Sequence, residues 1–270
     1  MSKYGNVEIS DPQFELTNLR QLTFKSPALK SRGDVTIFVP PGCDEVKSLP
    51  LVLLLHGVYG SHWCWTMKGG AHLTVLDLIK AKAIDPMVLV MPSDGLWGDG
   101  SGYLKHEEVD HESWIMDDVI GCVTEQIPCL DSRSPVFIGG LSMGGYGALR
   151  LGAKYADRVA GFSAHSSITR PEQLDRFVEG PFPTYAEALQ QKDSMPLYWM
   201  EKHKALLPPF RFDCGVSDSL IEENRELHES LTRLGIPHDY HEFAGGHDWS
   251  YWREHLSDTL FFFSRVIQKR

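Results

Sequence analysis

A serine between two glycines is the strongest sign of chemistry in this sequence. Ser142 lies in Gly140-Leu-Ser-Met-Gly144, after the short apolar run 136–138 and before the helix-forming residues 143–155. A serine at such a strand-to-helix turn is held in strained backbone geometry with its hydroxyl projecting, and the residues two positions away on either side must be nearly free of side chain. We therefore predict that Ser142 is a nucleophile for acyl transfer.

A nucleophilic serine needs a general base, and the base needs an acid that holds its tautomer. At turns of this kind the chain order is serine, acid, histidine, with each residue after a strand end. His247 follows the last predicted strand, 238–243, and two glycines, and Asp218 follows the predicted strand 210–213 and precedes a helical pattern. Asp213 competes for the role of the acid, although it falls inside the predicted strand. A helix N-cap is the alternative role for Asp218, and a solvated loop histidine is the alternative for His247.

Two backbone N–H groups are candidates for an oxyanion hole. The loop after the strand Leu51–Leu55 begins His56-Gly-Val. Gly57 lets the backbone turn so that the N–H of Val58 faces Ser142, and the N–H of Met143 opens the helix behind the serine. His56 directly follows a buried strand, so we expect it to organise this loop rather than to act as the base.

Strands and helices alternate along the chain in an order that can position these residues. An antiparallel pair is predicted at 22–25 and 35–39, followed by strands at 51–55, 87–91, 136–138, 161–164, 210–213 and 238–243. Helical periods fit residues 73–82, 113–126, 143–155, 220–234 and 252–267. Several strands are continuously apolar, as strands covered on both faces should be. We predict an α/β fold with a mostly parallel, doubly wound sheet, helices on both faces and ligands at the carboxyl ends of the strands.

Length and charge limit the classes of function. The 270 residues suit one α/β domain spanning 1–270. A net charge of -10 argues against binding to nucleic acid and to anionic membranes, so a small-molecule substrate fits better. The N-terminal residues lack the apolar region of a secretory signal and no run is long enough to span a bilayer, so a cytoplasmic location is expected. The oligomeric state, a homo-oligomer included, is left open.

Cysteines and acidic clusters give no sign of a metal site. The cysteines are five in number and scattered, without a C-x-x-C pair, which predicts reduced thiols rather than a disulfide framework or a zinc site. The glycine-rich stretch 94–102 resembles a calcium loop but lacks the later glutamate, so it is predicted to be a turn. The charged stretch 106–112 is predicted to be the solvated start of a helix. We expect no metal ion and no cofactor.

A long connection rich in proline and aromatic residues, 166–209, is predicted to form a small cap insertion over Ser142. Four aromatic residues on this connection and on the strand-end loops are candidates for substrate binding: Tyr59, Trp63, Trp97 and Trp199. The alternative is that these side chains pack their loops onto the core.

These motifs together resemble the putative-esterase family of α/β-hydrolases, which includes esterase D, S-formylglutathione hydrolases, tributyrin and feruloyl esterases and mycolyltransferases. The resemblance covers 22–267 and is carried by Leu55-His-Gly57, the ten residues 140–149, Cys214-Gly-Val-Ser-Asp218 and the eight residues 245–252. The resemblance implies an α/β-hydrolase fold. It also implies the nucleophile, acid, base and two oxyanion donors already named: Ser142, Asp218, His247, Val58 and Met143.

The loop after the oxyanion strand bears on the substrate. Formylglutathione hydrolases carry a Gly-Leu-Thr-Cys-Thr-type loop, whereas this chain has Gly57-Val-Tyr-Gly-Ser and is closer to the small-ester branch of the family. We predict a serine carboxylesterase that hydrolyses short-chain or small aromatic esters through an acyl-enzyme. The alternatives are an acyltransferase with the same three residues, an S-formylglutathione hydrolase-like thioesterase, and a non-catalytic binding protein on this fold.

Overall fold

The described strands form one mixed sheet. A computed structural model describes residues 4–179 and 192–270. In chain order its strands are β1 (Val7–Ile9), β2 (Leu19–Ser26), β3 (Ser31–Phe38), β4 (Leu51–Leu55), β5 (Val88–Pro92), β6 (Val136–Leu141), β7 (Gly161–His165), β8 (Phe210–Gly215) and β9 (Asp239–Phe243). The spatial order is β1-β2-β3-β5-β4-β6-β7-β8-β9. Every predicted strand is present, and β1 is an additional short strand that the sequence pattern did not predict.

Parallel pairing brings the carboxyl ends of the central strands to one edge. The strands β4 to β9 pair in parallel, while β1, β2 and β3 are antiparallel to one another and β3 is antiparallel to β5. In this register Leu55 is beside Gly140, Leu141 is beside His165, and His165 is beside Asp213. Residues just beyond these strand ends therefore share one edge of the sheet, as the doubly wound prediction requires.

Eight α-helices connect the described strands. They are α1 (Cys64–Met67), α2 (Ala71–Lys80), α3 (His111–Ser113), α4 (Ile120–Gln126), α5 (Met143–Lys154), α6 (Pro196–Lys202), α7 (Ile221–Arg233) and α8 (Trp249–Gln268). The sequence predicted one helix over 113–126, but α3 and α4 are joined there by a π-helical stretch, Trp114–Val119. The short α1 was not predicted.

Apolar side chains of β4 point alternately to the two faces of the sheet. Leu51, Leu53 and Leu55 join a core with residues of α4, α5 and α7, whereas Val52 and Leu54 join a second core with α2 and α8. Both faces are covered, which explains why this strand is apolar at every position. The helices on both faces confirm the predicted α/β architecture.

The prediction that all cysteines are reduced is wrong. Cys43 and Cys129 form a disulfide with Cα atoms 5.5 Å apart, while the other three cysteines are free and buried. The disulfide joins the segment before β4 to the turn after α4, where the Leu49 N–H also donates to the Cys129 carbonyl at 3.0 Å. The two cysteines are 86 residues apart in sequence, so only the fold brings them together.

The predicted cap is described in part. Its first part contains a 3₁₀ helix at Pro171–Arg176, and its last part contains another at Lys192–Ser194 and then α6. Residues 180–191 lie outside the described residues. In the two ranges that are described, no helix combines the length and the apolar character that crossing a membrane requires.

Candidate active site

Ser142 occupies the sharp turn between β6 and α5. Its backbone has φ 53° and ψ -119°, a conformation that costs a non-glycine residue about 1–3 kcal/mol and persists only where the surroundings impose it. A Cβ on Gly140 would lie 2.1 Å from the Gly144 carbonyl oxygen, and one on Gly144 would lie 2.2 Å from that of Leu55. The two glycines are therefore required for the turn, as the G-x-S-x-G pattern predicts.

A continuous line of hydrogen bonds joins Ser142, His247 and Asp218. Nε2 of His247 lies 3.0 Å from Oγ of Ser142, and Nδ1 lies 2.9 Å and 3.1 Å from the two carboxylate oxygens of Asp218. With the proton on Nδ1 donated to the carboxylate, Nε2 is free to accept the serine proton. Ser142 and Asp218 are 2% and 3% exposed, whereas the His247 side chain is 19% exposed, so the imidazole forms the more accessible part of the line.

Asp218 is held as a carboxylate despite its burial. Burial alone raises the pKa of Asp218, but the hydrogen bond and charge of His247, the Leu220 N–H and the Ser166 hydroxyl together lower it below its usual value. The Leu220 N–H donates to Oδ1 at 2.9 Å. An ionised Asp218 can therefore orient the imidazole and stabilise it when it gains a proton.

Asp213, the competing acid, lies inside β8 and has other partners. Its carboxylate contacts His165 at 2.9 Å and Arg211 at 2.7 Å, and it accepts a hydrogen bond from the Tyr251 hydroxyl at 2.7 Å. The structure thus brings Asp218, and not Asp213, to His247.

The two candidate oxyanion donors, Val58 and Met143, belong to segments next to Ser142. The Gly57 backbone is so close to the serine that a Cβ on Gly57 would lie 3.4 Å from Cβ of Ser142. The Gly57 carbonyl accepts hydrogen bonds from Nδ1 of His56 at 2.7 Å and from the Gly60 N–H at 3.2 Å. Because that carbonyl and the Val58 N–H belong to one planar peptide unit, these bonds also set the direction of the N–H. His56 therefore organises the loop, as predicted.

The stretch 94–102 forms a turn that packs against both candidate donors. Oδ2 of Asp94 accepts the Ser101 N–H at 2.8 Å, which closes the turn. A Cβ on Gly100 would lie 2.5 Å from the sulfur of Met143 and 3.4 Å from Cγ1 of Val58. This turn therefore restricts the side chains of the two donor residues.

The charged stretch 106–112 is partly buried, so the prediction of a solvated helix start is wrong. His111 and Glu112 are 1% and 6% exposed. The Glu112 carboxylate pairs with Arg150 and Lys154, each at 2.7 Å. These cations lie on α5, far from residues 106–112 in sequence, so their pairing with Glu112 could not be recognised from the charged stretch alone.

The four aromatic residues predicted to bind substrate have different environments. Tyr59 follows Val58 and is 56% exposed, and Trp63 is 43% exposed just before α1. Trp97 stacks on His106 with ring centroids 4.0 Å apart. The Trp199 ring lies against Lys154 at the far end of α5, about 18 Å along the helix from Ser142. The structure therefore does not bring Trp199 to the serine, because it packs α6 against α5.

Phe177 is a site residue that the sequence analysis missed. Its ring is stacked on the His247 imidazole, with centroids 5.1 Å apart, and the Trp252 ring meets the same imidazole edge-on at 5.1 Å. Two residues later, the Glu179 N–H donates to the Tyr59 hydroxyl at 2.9 Å and to Asp99 at 2.8 Å. The segment 177–179 therefore reaches from His247 to the residue beside Val58. Nothing in the sequence distinguishes Phe177 from other aromatic residues of the cap.

The sheet, the strained serine turn and the residues gathered at the strand ends define an α/β-hydrolase. The model of the family described as Putative esterase matches residues 26–263. The chain belongs to this family, and it is a carboxylic ester hydrolase.

Three similar proteins agree with this classification. The acetyl esterase of Caldicellulosiruptor saccharolyticus is 29% identical, over 92% of this chain and 98% of that enzyme. The solved structure of a ferulic acid esterase has a TM-score of 0.81 and 23% identity, covering 96% of this chain and 98% of the other. FphF, a fluorophosphonate-binding serine hydrolase of Staphylococcus aureus, has a TM-score of 0.78 and 21% identity, covering 90% and 97%.

Proposed function

We propose that this protein is a serine carboxylesterase that hydrolyses short-chain or small aromatic carboxylic esters through an acyl-enzyme on Ser142. The observation that carries the proposal is the line from Oγ of Ser142 through His247 to the buried carboxylate of Asp218, with contacts of 3.0 Å and 2.9 Å. A substrate with a small acyl group is also favoured by the name of the acetyl esterase to which this chain is 29% identical.

The proposed reaction follows from the hydrogen bonds that join Ser142, His247 and Asp218. Oγ of Ser142 attacks the ester carbonyl while Nε2 of His247 takes its proton, and Asp218 stabilises the imidazolium that forms. The N–H groups of Val58 and Met143 donate to the oxyanion of the tetrahedral intermediate. His247 then gives the proton to the departing alkoxide, which leaves the acyl group on Ser142. Water attacks this acyl-enzyme by the same steps and releases the acid.

Covalent labelling with a fluorophosphonate probe tests the nucleophile directly. We expect labelling and turnover of p-nitrophenyl acetate in the wild type, and loss of both in Ser142→Ala with the melting temperature unchanged. Ser257→Ala, which removes a half-buried hydroxyl that bonds only to the Glu254 carbonyl of its own helix among the contacts described, is the matched control and should behave as wild type. Labelled Ser142→Ala protein, or turnover by it above about a thousandth of the wild-type rate, would overturn the assignment.

A panel of substrates tests the acyl and leaving groups. Acetyl, butyryl and feruloyl esters should be hydrolysed, and S-formylglutathione should be hydrolysed more slowly than p-nitrophenyl acetate. Added alcohol should leave the yield of free acid unchanged. Quantitative capture of the acyl group by the alcohol would instead identify an acyltransferase.

The cellular location predicted from the sequence is cytoplasmic, and the Cys43–Cys129 disulfide argues for an oxidising compartment, because cytosolic thiols are normally kept reduced. Alkylation of free thiols in whole cells, followed by mass spectrometry, distinguishes a reducing cytoplasm from an oxidising compartment. Protection of Cys43 and Cys129 from alkylation before reduction is the result expected for an oxidising compartment.

A further inference from the structure

A second aspartate–histidine pair is buried behind the proposed catalytic residues. Asp213 in β8 and His165 at the end of β7 are adjacent in the sheet, and Nδ1 of His165 lies 2.9 Å from the Asp213 carboxylate. Arg211, two residues earlier on the same face, lies 2.7 Å from that carboxylate. Each of the three side chains is at most 3% exposed. The proposed reaction assigns no role to any of them.

Residues of α8 complete this group, which we call the Asp213 cluster: Ser163, His165, Arg211, Asp213, Tyr251 and Thr259. Oγ1 of Thr259 lies 2.5 Å from Oγ of Ser163, 3.1 Å from Nη1 of Arg211 and 2.8 Å from Nε2 of His165. Arg211 donates to Oγ1 of Thr259, and the Thr259 hydroxyl also hydrogen-bonds to Ser163 and to His165. Nδ1–H of His165 donates to the Asp213 carboxylate.

The charges of the Asp213 cluster balance one another. Burial alone raises the pKa of Asp213, but His165, Arg211 and the Tyr251 hydroxyl lower it to about 2. A carboxylate and a guanidinium therefore face each other in the core, and each depends on the other for stabilisation. The ion pair of Arg211 with Asp213 and the hydrogen bond from Tyr251 restrict the elements that carry these side chains. The cluster is suited to hold neighbouring groups at defined distances.

The cluster is linked to Ser142 and to Asp218 by the main chain. The carbonyl of His165 accepts the N–H of Ser142 at 3.0 Å, so the position of His165 constrains the strained turn. The carbonyl of Asp213 accepts the N–H of Ser166 at 2.8 Å, and the strand that carries Asp213, β8, ends at Gly215, whose carbonyl accepts the N–H of Asp218 at 3.0 Å. Ser166 has φ 46°, a conformation that its neighbours must impose.

The third link leads to His247. The Tyr251 hydroxyl donates to Oδ1 of Asp213 at 2.7 Å, which ties the first turn of α8 to β8. The Tyr251 ring lies directly beneath Gly245, where a Cβ would lie 2.7 Å from Cδ2 of the ring. The loop that carries His247 is therefore bounded by Tyr251, and Tyr251 is held by Asp213.

We propose that the Asp213 cluster is a positioning device for the reaction, in which Asp213 and His165 hold Ser142, Asp218 and His247 at reactive distances through these three links. The inference rests on the proposed function of those three residues. A displacement of about 1 Å of a reacting group can lower a rate by about a hundredfold, so a partial loosening of one link should be visible in kcat.

Removal of one hydroxyl tests this proposal against a purely structural role. Tyr251→Phe breaks the bond to Asp213 and retains the ring. The matched control is Tyr155→Phe, which removes a phenol–carboxylate bond of 2.5 Å to Glu112 in a second buried charged group, beside the C-terminal end of α5. We expect kcat for p-nitrophenyl acetate to fall about tenfold in Tyr251→Phe with KM changed less than twofold. Tyr155→Phe should lose similar thermal stability and keep the wild-type kcat.

Thr259→Val provides a second variant, because valine has nearly the shape of threonine but cannot hydrogen-bond to His165. It should also lower kcat at nearly constant KM, and it keeps the proposal testable if Tyr251→Phe does not fold. Both variants should still react with the fluorophosphonate, but more slowly than wild type, whereas Ser142→Ala should not react at all. Wild-type kcat in both folded variants, or an equal loss in Tyr155→Phe, would overturn the positioning role. Failure of the wild type to be labelled would instead refute the proposed function.

Discussion

Oδ2 of Asp218 lies 2.9 Å from Nδ1 of His247, and the Asp218 side chain is fully buried. The neighbouring acid, Asp213, makes an equally short contact with a different histidine, His165, which is 1% exposed. Only His247 has its second ring nitrogen on a serine hydroxyl, whereas that of His165 faces Thr259. The histidine bonded to Asp218 therefore contacts the proposed nucleophile, Ser142, whereas the histidine bonded to Asp213 contacts Thr259.

Exchange of each acid for its amide should separate their roles. We expect Asp218→Asn to fold normally and to lower kcat by about 10⁴, because the imidazole loses its orienting acceptor and adopts the wrong tautomer. Asp213→Asn should instead lower the free energy of unfolding by about 3–5 kcal/mol, since it leaves the Arg211 guanidinium buried without its partner. Steady-state kinetics and urea unfolding measure the two effects. If Asp213→Asn were the folded variant with the larger loss of kcat, Asp218 would not be the acid.

His56 gives a test of the oxyanion hole. Nδ1 of His56 holds the Gly57 carbonyl, and so the peptide that carries the Val58 N–H. We expect His56→Phe to lower kcat by about 10²–10³, the scale for loss of one oxyanion donor, with a small effect on KM. His56→Asn places an amide nitrogen near the position of Nδ1 and should recover part of the rate. Equal rates in the two variants would show that the bond to Gly57 does not orient the donor.

The serine turn could be predicted from the sequence because its requirements are local. Gly140 and Gly144 are the positions at which a Cβ would meet backbone atoms, and both lie within two residues of Ser142. Asp218 and His247 could be predicted because parallel strands bring their carboxyl ends to one edge and chain order restricts the choice. That reasoning depends on recognising the strands, which is easiest for a central strand such as Leu51–Leu55 that is apolar at every position.

Contacts between segments that are distant in sequence could not be predicted. Cys43 and Cys129 meet across 86 residues, and no spacing rule applies to such a pair. Phe177 meets His247 because the segment that follows β7 returns to the strand end at which His247 lies. Trp199 was expected at the site for its residue type, but α6 directs its ring to Lys154, since a cation and an aromatic face attract each other wherever they meet.

The disulfide should matter for stability and not for turnover. Closing a loop of 86 residues restricts the unfolded chain, which corresponds to about 4 kcal/mol in the chain-entropy model. We expect Cys43→Ser/Cys129→Ser to lower the free energy of unfolding by that order and to leave kcat within twofold, because the bond lies at the opposite edge of the sheet from Ser142. The same double variant should be insensitive to dithiothreitol. Unchanged stability after its removal would mean that the disulfide is not formed in the folded protein.

His111 should make the protein sensitive to mild acid. Burial, with the charge of His106, lowers the pKa of His111 from 6.5 to about 4. The unfolded chain therefore binds a proton between these values that the folded chain does not, so stability falls as the pH falls from 6.5 to 4, by about 3 kcal/mol in total. His111→Leu should flatten this part of the unfolding curve, measured with urea at each pH. His241→Gln, at an exposed histidine, is the control and should retain the full slope.

Phe177 should limit the length of the acyl chain. Its ring covers His247, and the Glu179 N–H behind it is tied to Tyr59, so the segment 177–179 narrows the space beside Ser142. Each methylene of a longer acyl chain gains only about 0.8 kcal/mol on burial. This gain does not offset a steric clash with the Phe177 ring, which is stacked on His247 and belongs to a segment bonded to Tyr59. We expect the wild type to cleave acetyl to butyryl esters faster than decanoyl esters. Phe177→Ala should lower the ratio of kcat/KM for butyryl to decanoyl esters by about tenfold.

Phe14→Ala is the control, because it makes the same change at a residue that is 77% exposed, and it should leave this ratio unchanged. A wild-type preference for decanoyl or palmitoyl esters would mean that segment 177–179 does not close the pocket and would favour a lipase.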